Sequence, residues 1–299
     1  MLSIVTVCFN NPSELYKTVR SVSLQSVPPT RYFVVDSSDE PIRSEMAAIA
    51  TSAEAEYVWV PPEGVYPAMV ASVDLVPDDH WVWWVNSSDW LAGKESVEVV
   101  VNAIKRFPPE TEAHWIIGEL LRLQKRAPSV HNIGGTGQEF VEMLFSGRTG
   151  FPHPSTIFRK KSLASIAPYS DGFSIASDYS TALRFAKEFG PPALLKSTLS
   201  VHNPNGLTAR NPVKHLNEKA LARIRVINRS GLPREVIRYV RSAVQGARSR
   251  VFQKANNHRQ GTSGELTPIT ENSHFCETTR SPKEAWPGCC DHTLVVKHL

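Results

Sequence analysis

The stretch from Trp81 to Leu91 constrains the fold of this chain more than any other, because five apolar residues are followed at once by four polar ones. An uninterrupted apolar run of this kind is typical of a strand buried on both faces of a parallel sheet. In open α/β sheets, ligands bind at the carboxyl ends of such strands. We therefore expect an α/β fold with a functional site at residues 86–89; the alternative is a buried strand followed by a plain polar turn.

The first forty residues predict a strand, a helix and a second strand. Residues 3–9 are almost wholly apolar and rich in β-branched side chains, as expected of a buried strand. Asn11 is a suitable N-cap, and Pro12 fits the first position of a helix. A second apolar run, residues 32–35, ends at Asp36. Since two strands joined through a helix run parallel, this βαβ unit supports a parallel sheet.

Strand and helix patterns alternate as far as residue 204, where we expect the compact domain to end. The predicted helices span residues 42–52, 66–76, 94–107, 138–145, 161–166 and 177–189. The predicted strands span residues 57–60, 81–85, 114–118, 156–158 and 194–201, and residues 120–122 continue the sheet in antiparallel pairing. Pro67 must lie in the first turn of its helix, because a proline further along would break the hydrogen-bond pattern.

The distribution of charge separates this domain, residues 1–204, from the rest of the chain. Residues 1–204 carry 17 Lys/Arg and 22 Asp/Glu, whereas residues 205–299 carry 16 and 7. The two parts are therefore expected to meet different partners. Residues 205–254 form a basic appendage with two helical patterns, at residues 213–228 and 234–254. Residues 255–299 lose all periodicity, which predicts a disordered tail.

The basic appendage, with 12 basic and 2 acidic residues, is suited to an anionic membrane surface. The alternative is that its helices pack on the domain and expose a basic face. Nucleic acid is not an expected partner, because the appendage has almost no aromatic side chains for base stacking. No apolar run approaches the roughly 20 residues that span a bilayer, and the first residues lack the basic start of a secretion signal. We expect a cytoplasmic protein, peripheral on the inner face of the plasma membrane.

Seven short motifs follow one another along the domain. They lie at residues 3–11, 21–26, 34–38, 64–69, 86–91, 153–159 and 173–179. The fifth reads Asn-Ser-Ser-Asp-Trp-Leu, and the seventh reads Phe-Ser-Ile-Ala-Ser-Asp-Tyr. In this order and spacing the chain resembles the family 2 glycosyltransferases of the nucleotide-sugar-binding GT-A fold, in particular bacterial enzymes of exopolysaccharide and lipopolysaccharide biosynthesis. The resemblance covers about residues 3–200 and implies a mostly parallel central sheet flanked by helices; the helical patterns of residues 205–254 add a C-terminal helical appendage to this fold.

The resemblance also implies a donor site at the ends of the first strands. The residues that would contact the nucleotide sugar are Val7, Phe9, Asp36, Tyr66, Asn86, Ser88 and His153. Asp36 would accept a hydrogen bond from an N–H group of the base, which suits a carboxylate because it only accepts. The alternatives are structural, with Asp36 capping a turn and His153 serving as an ordinary loop residue.

A divalent cation, Mg²⁺ or Mn²⁺, would neutralise the diphosphate as it leaves. The family takes its metal ligand from an Asp-x-Asp sequence, which here reads Asn86-Ser87-Ser88 and is followed by Asp89. Asp89 is therefore the expected metal ligand, displaced by one residue, because Ser88 is a poor ligand beside a carboxylate. Pro67 is a second departure, since the family has an Asp at that position.

Asp178 matches the general base of the family, which takes the proton of the acceptor hydroxyl. The alternative is an Asp that complements the dipole at a helix start. The function implied is an inverting glycosyltransferase that transfers a sugar from a nucleotide diphosphate sugar, expected to be a UDP-sugar, to a hydroxyl of a glycan or lipid-linked acceptor in cell-surface polysaccharide biosynthesis. Ser88 and Pro67 prompt the alternative of a catalytically silent, nucleotide-sugar-binding or scaffold subunit of a glycan-assembly complex.

Overall fold

The structure is a computed structural model that describes residues 1–107, 113–123, 127–131, 133, 135–203 and 206–228. The predicted helix at residues 234–254 and the predicted tail at residues 255–299 lie outside the described residues. Among the residues described, no helix is both long enough and apolar enough to cross a bilayer.

The chain begins with the expected βαβ unit. Strands β1 (Leu2–Cys8) and β2 (Arg31–Asp36) are parallel neighbours, joined through helix α1 (Pro12–Ser23). Every residue of β1 is buried, as is typical of a sheet covered on both faces. Pro12 is the first residue of α1 and Asn11 is its N-cap, as predicted, but the Asn11 side chain makes no capping hydrogen bond.

The other predicted elements are present, with ends that differ by a few residues. The remaining helices are α2 (Ile42–Thr51), α3 (Val65–Val73), α4 (Ser96–Lys105), α5 (Gly137–Ser146), α6 (Lys160–Ser165), α7 (Ser177–Phe189), α8 (Leu207–Arg210) and α9 (Pro212–Asn228). The remaining strands are β3 (Glu56–Trp59), β4 (Trp81–Trp84), β5 (Trp90–Leu91), β6 (Trp115–Arg122), β7 (Ser129–His131), β8 (Thr156–Arg159) and β9 (Ala193–His202). Pro67 lies at the third position of α3, inside the first turn as its missing N–H requires.

In the part of the chain that the structure describes, the strands form one sheet of nine strands in the order β3-β2-β1-β4-β8-β6-β9-β5, with β7 paired to β6. Strands β1, β2, β3, β4, β6 and β9 run in one direction, and β5, β7 and β8 run in the other. This confirms the expected mostly parallel sheet. The segments predicted at residues 114–118 and 120–122 are one continuous strand, β6. An irregularity in its pairing with β9, between Gly118 and Leu120, interrupts the alternation that marks a single strand in the sequence.

Strand β4 lies at the centre of the domain and contributes to an apolar core on each face of the sheet. Successive residues of a strand point to opposite faces, so Trp83 and Trp84 enter different cores. Each indole N–H is satisfied, because Trp83 donates to the Pro154 carbonyl at 2.7 Å and Trp84 donates to the Ser72 hydroxyl at 3.0 Å. The polar residues after β4 therefore leave the sheet from a rigid, well-packed strand.

Helix α9, which belongs to the basic appendage, packs on α7. The carboxylate of Glu218 in α9 accepts hydrogen bonds from the backbone N–H groups of Ile175 at 2.8 Å and Ala176 at 3.0 Å, and from the Ser174 hydroxyl at 3.0 Å. These bonds satisfy backbone donors just before α7, where a helix start leaves N–H groups without partners in the helix. Glu218 therefore helps to position the first turn of α7.

Candidate active site

The carboxyl ends of β1, β2 and β4 meet at one edge of the sheet. The backbone N–H of Ser37 donates to the Cys8 carbonyl at 3.1 Å, and that of Ser87 donates to the Val7 carbonyl at 3.0 Å. The loops after β2 and β4 therefore flank the end of β1. This is the edge at which the sequence predicts a functional site.

Four buried side-chain oxygens at this edge have no hydrogen-bond partner among the described residues. They are Asn11 Oδ1, Ser37 Oγ, Asn86 Oδ1 and Ser87 Oγ. A buried polar group without a partner costs about 1–3 kcal/mol, and native proteins retain few of them. Because the four are grouped at the ends of three neighbouring strands, they indicate a site for a polar ligand. We call them the unpaired oxygens.

Asp36 lies at the end of β2 and is fully buried. Its Oδ1 accepts from the backbone N–H of Ser38 at 3.0 Å and from the Ser38 hydroxyl at 2.5 Å, and its Oδ2 accepts from the Tyr57 hydroxyl at 2.7 Å. Oδ1 therefore holds the loop that follows β2, and Oδ2 bonds to strand β3. Asp36 is fully buried, so a base could reach this carboxylate only if the residues that cover it moved, and the contact between Asp36 and a base stays a prediction.

The side chains of Val7 and Phe9 differ in their exposure to solvent. Val7 is buried within β1, whereas Phe9, just past the end of the strand, is 52% exposed. The face of an exposed aromatic ring is suited to stacking on a planar ring. The contacts of Val7 and Phe9 with the donor stay predictions.

Ser88 and Asp89 occupy different environments. Ser88 has a φ of 89°, which turns the chain sharply, and its backbone N–H donates to the Thr18 hydroxyl at 3.2 Å. Asp89 is 6% exposed, and its Oδ1 accepts from Nδ1 of His202 at 2.8 Å and from the backbone N–H of Asn203 at 3.1 Å. Burial alone would lower the pKa of His202, but the hydrogen bond to Asp89 and the charge of Asp89 raise it overall.

Asp89 and His202 are the residues that best fit a divalent cation. Asp89 Oδ1 and His202 Nδ1 lie 2.8 Å apart and share a hydrogen bond, so a cation bound by both atoms would replace the proton between them. Cations such as Mg²⁺ and Mn²⁺ are commonly bound through one or two carboxylates together with substrate phosphates. Within the described part of the chain no three or more His, Cys, Asp or Glu residues are grouped to hold a metal. A cation here would therefore need phosphate oxygens to complete its shell.

Asp178 is the second residue of α7, at the positive end of the helix dipole. Its Oδ1 accepts from the backbone N–H of Tyr179 at 2.7 Å and from the Tyr66 hydroxyl at 3.2 Å. Burial raises the pKa of Asp178 to about 6, although these hydrogen bonds and the charge of Lys219 oppose the rise. Such a carboxylate is ionised at neutral pH and still basic enough to accept a proton, as a general base must be.

Tyr66 holds Asp178 rather than standing free in the site. Its hydroxyl lies 2.7 Å from the Ile175 carbonyl as well as 3.2 Å from Asp178, so one proton is shared between two acceptors. Its ring stacks on Tyr169, with 5.9 Å between the ring centroids and 15° between the planes. Burial raises the pKa of Tyr66 well above 10, which keeps the hydroxyl protonated as a donor. Tyr66 is therefore a positioning residue for Asp178, and its contact with the donor stays a prediction.

His153 is buried among aromatic rings. Its Nε2 lies 3.0 Å from the Tyr169 hydroxyl, and its ring is 6.2 Å from that of Trp84 and 5.8 Å from that of Phe151. Burial lowers the pKa of His153 to about 4, so the ring is neutral at pH 7. These contacts are structural, and a contact between His153 and the donor stays a prediction.

The sequence pattern does not single out His202, which the structure places beside Asp89. His202 is hydrogen-bonded to Asp89, and the charge of Asp178 makes a smaller contribution to its raised pKa. The sequence indicates this pairing only through position, because His202 ends the last strand of the domain, β9, and Asp89 lies in the loop after strand β4.

Two relatives of this chain are known only as uncharacterized glycosyltransferases of Mycobacterium tuberculosis. MT1564 of strain CDC 1551 / Oshkosh and Rv1514c of strain ATCC 25618 / H37Rv are each 25% identical over 189 residues, which cover 62% of this chain and 68% of the relative. No family model matches the chain.

Solved structures with a similar fold include three proteins of low identity. S. aureus TarS 1-349 in complex with UDP-GlcNAc has a TM-score of 0.54 and is 12% identical in sequence. The match covers 76% of this chain and 66% of TarS 1-349, so this chain spans just under two thirds of that protein. Mannosyltransferase PcManGT from Pyrobaculum calidifontis, in complex with GDP-Man and Mn²⁺, has a TM-score of 0.56 at 15% identity over 89% of this chain and 76% of its own.

The third is glucosyl-3-phosphoglycerate synthase from Mycobacterium tuberculosis, in complex with Mn²⁺, UDP and glucosyl-3-phosphoglycerate. It has a TM-score of 0.52 at 15% identity over 78% of this chain and 81% of its own. Likeness at such identities shows the fold alone, and the fold is the one expected from the sequence. Together with the glycosyltransferase relatives, these comparisons confirm the GT-A fold and the expectation of a glycosyltransferase enzyme.

Proposed function

We propose that this chain is an inverting glycosyltransferase that moves a sugar from a UDP-sugar to a hydroxyl of a glycan or lipid-linked acceptor in cell-surface polysaccharide biosynthesis. The observation that carries the proposal is the group of unpaired oxygens beside Asp89. A nucleotide offers these acceptors the hydroxyl groups of a ribose and the N–H group of a uracil. Proteins of the same fold are complexed with UDP, with UDP-GlcNAc and with GDP-Man, which supports this ligand class.

The diphosphate would lie toward Asp89 and His202. These two residues would hold Mg²⁺ or Mn²⁺, and a bound cation neutralises the charge that develops on the departing diphosphate. Two neighbours of the same fold are complexed with Mn²⁺, which supports this choice of cation. Ser88, at the position where the family has a carboxylate, would leave Asp89 as the only acidic ligand of the loop.

Asp178 would act as the base. The acceptor oxygen forms a bond to the anomeric carbon, and its proton passes to the Asp178 carboxylate. At the same time the bond from the anomeric carbon to the diphosphate oxygen breaks, and that electron pair leaves with UDP. Attack from the face opposite the leaving group inverts the anomeric centre. The hydrogen bonds from Tyr66 and from the backbone N–H of Tyr179 keep the carboxylate in one orientation for this transfer.

The release of UDP from UDP-sugars by the wild-type chain and by Asp178→Asn tests the proposal. The variant should bind UDP as tightly as the wild type and lose at least about a hundredfold of its rate, because general-base catalysis contributes about 10²–10⁴. Glu188→Gln, an exposed carboxylate near the end of the same helix, is the matched control. An unchanged rate in Asp178→Asn would remove the proposed base.

Ser88 favours a second candidate, a catalytically silent subunit that binds a nucleotide sugar or another glycosyltransferase. If metal binding had been lost with the carboxylate of that loop, UDP would bind equally well with and without Mn²⁺ and no sugar would be transferred. Calorimetric titration of UDP in the presence of Mn²⁺ or of EDTA separates the candidates. An enzyme that uses Asp89 should bind UDP more tightly with Mn²⁺.

The basic appendage would place the enzyme at an anionic membrane surface. Helix α9 exposes three apolar side chains, Val213, Leu216 and Leu221, alongside basic residues such as Lys214 and Arg225, a combination found on helices that lie in the interface. Co-sedimentation with anionic vesicles that weakens as salt is raised would support this location. Equal recovery with neutral vesicles would contradict it.

A further inference from the structure

A second group of polar side chains lies beside Asp178 and is not used by the mechanism above. Arg122 ends strand β6, His131 ends strand β7, and Lys219 lies on α9. His131 pairs with Leu120 across the β6–β7 ladder, so its side chain is on the same face of the sheet as that of Arg122. We call Arg122, His131 and Lys219 the basic cluster.

The segment Thr149–Gly150 brings the basic cluster together. Nε2 of His131 lies 3.4 Å from the Thr149 hydroxyl, and Nζ of Lys219 lies 3.5 Å from the Thr149 carbonyl. Nη2 of Arg122 would be 3.2 Å from a Cβ added at Gly150. Three basic side chains from three different elements therefore converge on two consecutive residues.

Arg122 and Lys219 have no ion-pair partner among the residues that the structure describes. Among the described residues, no carboxylate lies within 4.0 Å of Arg122 or Lys219. Both side chains are only partly exposed, and buried charges are normally paired. Elsewhere in the domain the partly buried Arg184 is paired in this way, at 3.2 Å from the Asp171 carboxylate.

Burial is the main cause of the pKa shifts in and beside the cluster, and the neighbouring positive charges add to it. Burial, Arg223 and Arg122 lower the pKa of Lys219 to about 8, and Asp178 opposes this shift. Burial, Arg122 and Lys219 lower the pKa of His131 to about 4. The nearby His215 on α9 is lowered to about 4 by burial and by Lys219 and Arg122, against the opposing charge of Glu218. An anion at this place would offset the positive charges of Arg122 and Lys219, whereas His131 and His215 are neutral at pH 7.

The cluster also lies close to the proposed base. Nζ of Lys219 is 4.4 Å from the ring centroid of Tyr179, which follows Asp178 in the chain. In the β6–β9 ladder Arg122 is the direct partner of His202, which bonds to Asp89. The basic cluster therefore joins a lysine of the appendage to two strand ends, close to the residues that adjoin Asp178 and Asp89.

We propose that Arg122 and Lys219, with His131 beside them, bind a phosphate group of a substrate next to Asp178. This inference rests on the proposed function, because it assigns a substrate group to the same active site. A guanidinium presents two parallel N–H donors that match two phosphate oxygens, and a lysine adds a point charge. The phosphate belongs either to the diphosphate of the donor or to a phosphorylated acceptor, and the two sources are separable by experiment.

The experiment uses the full chain and two calorimetric titrations. In the first, UDP is titrated into the protein. In the second, inorganic phosphate is titrated into nucleotide-free protein and into UDP-saturated protein. The variants are Arg122→Gln and Lys219→Gln, and Lys187→Gln on the exposed face of α7 is the matched control. Arg122→Lys, which retains the charge but lacks the two parallel donors, serves if Arg122→Gln does not fold by circular dichroism.

A loss of at least about tenfold in UDP affinity, or about 1.4 kcal/mol, in the cluster variants but not in the control would assign the cluster to the donor diphosphate. Unchanged UDP affinity, with phosphate binding to the UDP-saturated protein lost only in the cluster variants, would assign it to a phosphorylated acceptor. Unchanged binding of both UDP and phosphate in the cluster variants would overturn the inference. If the wild type failed to bind UDP, the proposed function would fail, while phosphate binding by nucleotide-free protein would still test the cluster.

Discussion

Replacing Tyr66 with phenylalanine would change the basicity of Asp178 without removing either the base or the aromatic ring. The hydroxyl of Tyr66 lies 3.2 Å from Asp178 Oδ1, and this hydrogen bond lowers the pKa of Asp178 against the larger effect of burial. Its removal should therefore raise the pKa of Asp178 above the present value of about 6. The variant should need a higher pH than the wild type to keep the base ionised.

The size of the shift follows from the geometry of the bond. A hydrogen bond to a charged group contributes about 1.5–3 kcal/mol, and one pKa unit corresponds to about 1.4 kcal/mol. The bond is long, and its proton is shared with the Ile175 carbonyl at 2.7 Å, so the lower end of the range applies. We expect the acidic limb of kcat/KM against pH to move up by roughly one unit. Loss of the partner of the Ile175 carbonyl should also destabilise the fold by about 1 kcal/mol.

The assay is the release of UDP from a UDP-sugar between pH 4 and 9, a range that extends about two units or more on each side of the Asp178 pKa of about 6. Tyr16→Phe is the matched control, because Tyr16 is 51% exposed on α1 and makes no contact with Asp178. The control should reproduce the wild-type profile. An acidic limb that stays in place in Tyr66→Phe, or that moves to lower pH, would refute the assignment of Asp178 as the base.

Three further perturbations separate stability from binding. Asp178→Asn removes a carboxyl group whose pKa is raised from 3.8 to about 6 by folding. In thermal unfolding, the variant and the wild type should be equally stable well below pH 3.8, where the carboxyl group is protonated in both folded and unfolded chains. At pH 8 the variant should be more stable by up to about 3 kcal/mol. Ser87→Ala removes an unpaired oxygen, so calorimetry should show UDP affinity reduced by about fivefold to tenfold at unchanged or higher stability. His202→Gln should reduce the affinity for UDP in Mn²⁺ by at least about tenfold and leave the affinity in EDTA unchanged; equal losses in both buffers would contradict a metal role.

Most of the fold could be predicted from local sequence patterns. Pro67 is placed correctly in the first turn of α3, because a proline tolerates few other helical positions. The apolar run at residues 81–85 predicts β4 because a strand in the middle of the sheet needs apolar side chains on both faces. Strand β5 is different: it has two residues and pairs with β9, so its pattern is too short to recognise without its partner.

The site could be predicted from the sequence only in part, because hydrogen bonds between distant segments decide which ligands each side chain can contact. Asp36 looks free to meet a base in the sequence, but Ser38 and Tyr57 occupy its oxygens in the structure. His202 is separated from Asp89 by 113 residues, and only the convergence of strand ends brings the two together. The basic cluster likewise combines residues from β6, β7 and α9, and no local pattern marks such a group.

A crystal structure of the full chain with UDP and Mn²⁺ is the most direct test of the proposed nucleotide-sugar site. We predict that UDP lies at the carboxyl ends of β1, β2 and β4, with Asn86 Oδ1 and Ser87 Oγ hydrogen-bonded to the nucleotide. Mn²⁺ should contact Asp89 and His202 together with diphosphate oxygens. UDP bound elsewhere, or bound at this edge while the unpaired oxygens remain without partners, would contradict the proposed site.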